Sequence, residues 1–191
     1  MKKVVKFGGS SLSGAEQFKK VKEIIELDKD RRYVVPSAPG KRNSKDSKVT
    51  DLLYKAYGEA SEDKDFSETF AEIETRYNEI IKGLGLKVSL DDEFRKIRDD
   101  FKKKTGEDYA ASRGEYLNGI LLADYLGYVF VDPKEVIFFK EDGNFDSAKT
   151  YEVLHDRLEG IERAVIPGFY GSYPDGSIKT FSRGGSDITG S

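Results

Sequence analysis

An α/β sandwich with a largely parallel sheet is the fold class this sequence predicts, on three observations. Short β-branched or aromatic runs alternate with longer segments of helical periodicity from one end of the chain to the other. Two of those runs lead straight into glycine pairs, Gly8-Gly9 and Gly184-Gly185. The segment Ser172-Tyr173-Pro174-Asp175-Gly176-Ser177 supplies both a fixed and a positive φ, so one antiparallel hairpin is expected there.

Residues 4–7 form the first predicted strand, which stops at the double glycine. Ser13 with Glu16 has capping-box spacing, ahead of Phe18, Val21, Ile24, Ile25 and Leu27 at helical intervals. A second strand over 32–35 must end near Pro36 and Pro39, because proline cannot donate to a ladder. Residues 37–49 are a Gly-, Lys-, Ser- and Asn-rich loop, either a solvated connection or the kind of loop in which α/β proteins hold ligands. The pattern is helical throughout 50–101, broken at Gly83 and Gly85 and restarted at a Ser89 cap. Within it, Phe66, Phe70, Ile73, Tyr77, Ile80 and Ile81 fall on one stripe and read as core. A further helix spans 108–126 with Gly127 as its stop. Strands are expected over 128–131, 136–139 and 164–167, with a helix over 147–158 between the last two.

Composition excludes several chemistries. Lys and Arg number 32 against 35 Asp and Glu, a net charge of -3, so no basic field is offered to a nucleic-acid backbone. Hydrophobic residues at 37% and aromatics at 12% are ample for a single folded domain. With no cysteine, disulfides, thiol nucleophiles and thiolate metal sites drop out. His155 is the single histidine and lies on an amphipathic helix, which leaves zinc chemistry and a Ser-His-Asp triad without parts. Neither common nucleotide fingerprint occurs. No signal-like apolar region opens the chain and no segment approaches the ~18 apolar residues of a membrane span, so a cytoplasmic protein without a membrane partner is expected.

Lys6-Phe7-Gly8-Gly9-Ser10-Ser11 leaves a strand toward a helix, which suits an ordinary turn or, through converging backbone N–H groups and the Lys6 charge, an anion site. Thr180-Phe181-Ser182-Arg183-Gly184-Gly185-Ser186-Asp187 repeats the device with a guanidinium before the glycines and a carboxylate after them. Arg183 either captures a carboxylate or phosphate, or pairs with Asp187. Glu115 reads as a solvated helix position, although Gly114 and Gly119 beside it suggest an open surface.

Together with Ser112-Arg113-Gly114-Glu115, Ser37-Ala38-Pro39-Gly40 and Lys48-Val49-Thr50-Asp51, these turns resemble, in order, the N-terminal part of the catalytic domain of an aspartate kinase of the amino acid kinase family. The resemblance runs from Lys6 to Asp187 and implies the three-layer α/β/α, carbamate kinase-like fold. It implies ATP and Mg²⁺ as cofactors and L-aspartate as acceptor, giving 4-phospho-L-aspartate, the first step toward lysine, threonine and methionine. Lys6 would sit over the β- and γ-phosphates beside the amides of Gly8, Gly9 and Ser10, with Asp187 orienting Lys6 or a Mg²⁺ ion. Arg183 would take an aspartate carboxylate and Glu115 its ammonium, with Ser37, Thr50 and Ser186 bonding around the amino acid.

An acceptor carboxylate of ordinary pKa, ~3.9, is already nucleophilic at neutral pH, so no general base is needed. The difficulty is charge repulsion at the γ-phosphate, about 4 kcal/mol per unit pair at 4 Å and an effective dielectric of 20, which Lys6, Mg²⁺ and Lys41 or Lys48 would offset. Family domains continue past the Arg183-Asp187 turn, so residues 1–191 are expected to be the N-terminal portion of an amino acid kinase domain. The C-terminal nucleotide-binding half and ACT regulatory domains would then be absent, and the longer parent a homo-oligomer. The alternatives are an inactive aspartate-binding lobe and a kinase for another carboxylate acceptor.

Overall fold

The computed structural model describes residues 2–181, 187 and 190. A four-stranded sheet, all parallel in order β1-β2-β4-β3, is built from β1 (Lys3–Phe7), β2 (Arg31–Pro36), β4 (Ala164–Val165) and β3 (Val129–Phe130). A separate antiparallel pair joins β5 (Tyr170–Ser172) to β6 (Ile178–Thr180) across the Pro174-Asp175-Gly176 turn, as the turn chemistry requires. Pro36 closes β2 opposite Phe7, and its carbonyl accepts from the Gly168 N–H at 3.3 Å.

Alternation along the strands splits the core in two. Val34 and Val165 face one cluster with Phe18, Val21 and Ile25 of α1 (Ala15–Glu26) and Leu117, Leu121 and Leu122 of α5 (Glu107–Leu126). Tyr33, Ala164 and Ile166 face the opposite cluster, against which Val153, Leu154 and Leu158 of α7 (Ser147–Leu158) pack. Side chains of period two thus put helices on both faces, the layered arrangement expected.

Outside α5, α2 (Val49–Ser61), α3 (Ser67–Leu84) and α4 (Asp91–Lys102) enclose edge-to-face aromatics: Phe70 meets Phe94 at 6.3 Å and Phe101 at 5.9 Å between centroids. Phe66, Phe70, Ile73, Tyr77 and Ile80 are buried as the stripe predicted, while Ile81 is only partly covered.

Several boundaries differ from the sequence expectation. The helical run over 50–101 is three helices, with a break over 62–66 that carries no glycine or proline to announce it. Gly83 lies inside α3, where a Cβ would come within 2.5 Å of the Ala15 methyl, and it is Gly85, at φ 66°, that ends the helix. Ser13 is not the N-cap of α1: its hydroxyl donates back to the Ser10 carbonyl, Gly14 holds the cap position, and Glu16 pairs with Lys19. Ser89 accepts from the Asp91 N–H one position ahead of the cap residue, Leu90. Residues 136–139 are no strand. Asp132 caps the short helix α6 (Pro133–Val136), and Phe138 and Phe139 make only isolated bridges to Ser172 and Phe145. Among the described residues no helix is long and apolar enough to cross a membrane.

Candidate substrate site

The site lies at the C-terminal ends of β1 and β2, where two turns press backbone against backbone. Ser37 N–H donates to the Phe7 carbonyl at 3.0 Å, and Gly40 N–H to the Gly9 carbonyl at 2.8 Å. A Cβ on Gly9 would stand 2.8 Å from the Ala38 carbonyl oxygen, and one on Gly40 2.7 Å from the Gly9 carbonyl carbon. Glycine at both positions is therefore a packing requirement. Gly8, Gly9 and Ser10 follow Phe7, the last residue of β1, and run into a single 3₁₀ turn, Gly9–Leu12.

Helix α5 closes the floor. A Cβ on Gly114 would meet the Ala38 methyl at 2.7 Å and the Thr50 hydroxyl at 3.7 Å, so Thr50, in the first turn of α2, stands beside the Ala38 turn. Gly119 is equally crowded, with Pro167 2.4 Å from a would-be Cβ. The open surface expected around these glycines is instead close approach between α5 and the strand ends. Tyr77, buried on α3, holds the helix by donating to the Gly114 carbonyl at 2.8 Å.

Glu115 is 6% exposed, which overturns the solvated reading. Burial pushes its carboxyl up to about 7, against the opposing pull of the Ala38 N–H, its own N–H and the Arg113 charge. Its Oε2 has no hydrogen-bond partner among the described residues. One turn on, Asn118 is wholly buried and donates from Nδ2 to the Ser37 carbonyl at 2.6 Å. Arg113 does not point into this site chemistry: its guanidinium lies over the Tyr109 and Tyr116 rings, 4.7 and 4.3 Å from their centroids, and bonds Ser112.

Across the turns, Lys6 Nζ meets Asp187 Oδ1 at 2.9 Å, which brings the end of the second glycine-rich segment to the end of β1. Arg183 and Ser186, with Gly184 and Gly185, lie outside the described residues. The 37–49 loop is anchored by Arg76, 3% exposed on α3, which donates to the carbonyls of Gly40 at 2.7 Å and Ser47 at 2.9 Å and pairs with Asp46 at 2.9 Å. Lys41 and Lys48 remain exposed on that loop. Two residues escaped the sequence reading although each left a signal. Arg76 interrupts the apolar stripe three residues after Ile73, and Asn118 interrupts the buried face of α5 three residues after Glu115.

Among the described residues no three His, Asp or Glu side chains gather as a metal cage. Magnesium carried on phosphates asks the protein for one or two carboxylates, and Asp187 beside Lys6 is of that kind. An apolar cavity of about 160 Å³ opens on the opposite face of the sheet, among Val4, Tyr33, Val35, Leu154 and Phe181, and no charged side chain lines it.

The profile of the amino acid kinase family matches residues 1–191. The chain is 40% identical to Aspartokinase 3 of Bacillus subtilis (strain 168) over 99% of its own length and 45% of that protein. It superposes on the crystal structure of Clostridium acetobutylicum aspartate kinase with a TM-score of 0.95 and 49% identity, over 99% of this chain and 44% of that one. Escherichia coli aspartokinase III, solved with aspartate and ADP, shares the fold at a TM-score of 0.81 and 23% identity, over 99% and 45% of the two chains. The chain thus spans less than half the length of these relatives.

Proposed function

The chain belongs to the amino acid kinase family, and from that premise we propose that it forms the acceptor-binding and phosphate-facing part of an aspartate kinase. The reaction is transfer of the ATP γ-phosphoryl group to the β-carboxylate of L-aspartate, giving 4-phospho-L-aspartate. The observation that carries it is Glu115: a buried carboxyl with one unpartnered oxygen, under a turn linked to Lys6 through β1, asks for a cationic guest, and an amino acid's ammonium supplies one. The names of the two relatives at 40% and 49% identity support aspartate as that amino acid.

In this reading Glu115 takes the ammonium, while Ser37, Thr50 and Ser186 bond around the acceptor and Arg183 pairs with a carboxylate. The β-carboxylate attacks phosphorus as the anion it already is, and the bond from phosphorus to the bridging oxygen of ADP breaks. Lys6 and the Gly8, Gly9 and Ser10 backbone hold the phosphates, and Asp187 keeps Lys6 aimed through their 2.9 Å contact. Magnesium, faced by Asp187, would supply further charge neutralisation. In this reading an adenine- and ribose-holding half, ACT regulatory domains and a homo-oligomeric assembly would belong to a longer parent. A cytoplasmic setting fits the same reading.

Calorimetric titration of the chain with L-aspartate, with succinate and with Mg-ATP tests it. Heat from aspartate and none from succinate, which lacks the ammonium, is expected. Equal heats, or none from aspartate, would sink the assignment. Heat from aspartate without any from Mg-ATP would identify a binding lobe that transfers nothing alone, and competition by another amino acid would redirect the acceptor.

A further inference from the structure

We propose that Asn118 is a positioning residue of the amino-acid pocket: it holds the Ser37 carbonyl while the Phe7 carbonyl holds the Ser37 N–H, and the two bonds together fix the direction of the Ser37 side chain. The proposal rests on the aspartate-binding reading above. The Ser37 carbonyl accepts from Asn118 Nδ2 at 2.6 Å, and the Ser37 N–H donates to the Phe7 carbonyl at 3.0 Å. Each peptide unit is planar, so the two bonds hold the planes on both sides of the Ser37 Cα and with them the direction of its Cβ.

The neighbours restrain the same turn. Pro36 and Pro39 flank Ser37 and Ala38, fixing their own φ and biasing the residue before each toward extended conformations. The Ala38 methyl abuts Gly114, where a Cβ would come within 2.7 Å. Asn118 adds a restraint on the peptide plane between Ser37 and Ala38. Glu115 and Asn118 are three residues apart on α5 and therefore share one face of the helix.

Asn118 is poorly explained as packing. It is fully buried, and its Oδ1 finds no hydrogen bond among the described residues, a penalty an aliphatic side chain of similar size would avoid. The bond from its amide nitrogen to Ser37 is the contact an aliphatic residue could not make.

The test is Asn118→Leu, which keeps roughly the volume and removes both the donor and the unmet acceptor, read by L-aspartate calorimetry, amide exchange at Ala38 and thermal unfolding. The expected result is an unfolding temperature within about 4 °C of the parent, with aspartate bound about tenfold more weakly and the Ala38 amide exchanging about tenfold faster. Aspartate affinity within about twofold of the parent overturns the proposal, as does a loss that tracks unfolding temperature across Asn118→Leu and Asn118→Ala. If the leucine variant does not fold, the alanine variant carries the same comparison. If the parent chain itself binds no aspartate, the substrate reading has failed, and Ala38 exchange then decides the clamp alone: unchanged exchange removes it.

Discussion

Because burial holds the Glu115 carboxyl near 7 while an unfolded chain would titrate it near 4.5, the native state keeps its proton more tightly than the unfolded one. The residue therefore costs nothing below that lower value, and its penalty grows with pH until it is complete above about 7. Glu115→Gln removes the charge at nearly constant shape. At pH 8 it should raise unfolding free energy by about 2–3 kcal/mol, an advantage that disappears at pH 4, and urea midpoints at the two pH values measure it. The same variant should weaken L-aspartate binding at pH 8 by at least about tenfold. A variant neither more stable nor weaker in binding would make Glu115 an ordinary helix residue. In the proposed reading Lys6 faces the phosphates: in an intact parent kinase, Lys6→Ala should depress turnover far more than aspartate affinity, because its charge would act on them. Survival of kcat within about threefold would refute that role.

At the scale of elements, the site exists because β1, β2, α3 and α5 are brought to one crossing, and two substitutions separate contact from propensity. Gly40→Ala places a methyl 2.7 Å from the Gly9 backbone, which cannot yield without parting the two turns, and should cost about 1–3 kcal/mol. Gly58→Ala, in the interior of α2 with nothing within 4 Å, should instead stabilise by about 0.5–1 kcal/mol. Denaturant titration of the two variants checks the contrast. Arg76→Met would leave the Gly40 and Ser47 carbonyls without their guanidinium while Asp46 keeps Arg42 at 2.9 Å, so a loss of about 2 kcal/mol is expected in the same assay.

For the whole molecule, strands and helices were legible wherever periodicity was sustained, as on the α3 stripe and around the Pro174-Asp175-Gly176 turn. The break at 62–66 was not, since no glycine or proline stands in it, and at 136–139 the Asp132 cap and Pro133 that start α6 prevailed over a β-branched and aromatic run. Lys6, the Gly8-Gly9 turn, Ser37, Thr50 and Glu115 were visible as motifs, but the motifs carried no account of burial. Local pattern alone determined the alternation of elements, the two glycine-rich turns and the family to which they belong. Tertiary structure decided which glycines are contacts rather than hinges, that Glu115 is desolvated, and that Arg76 and Asn118 support the turns. Those facts depend on what distant segments place beside a residue, and solvation and close approach are properties of such neighbours rather than of sequence spacing.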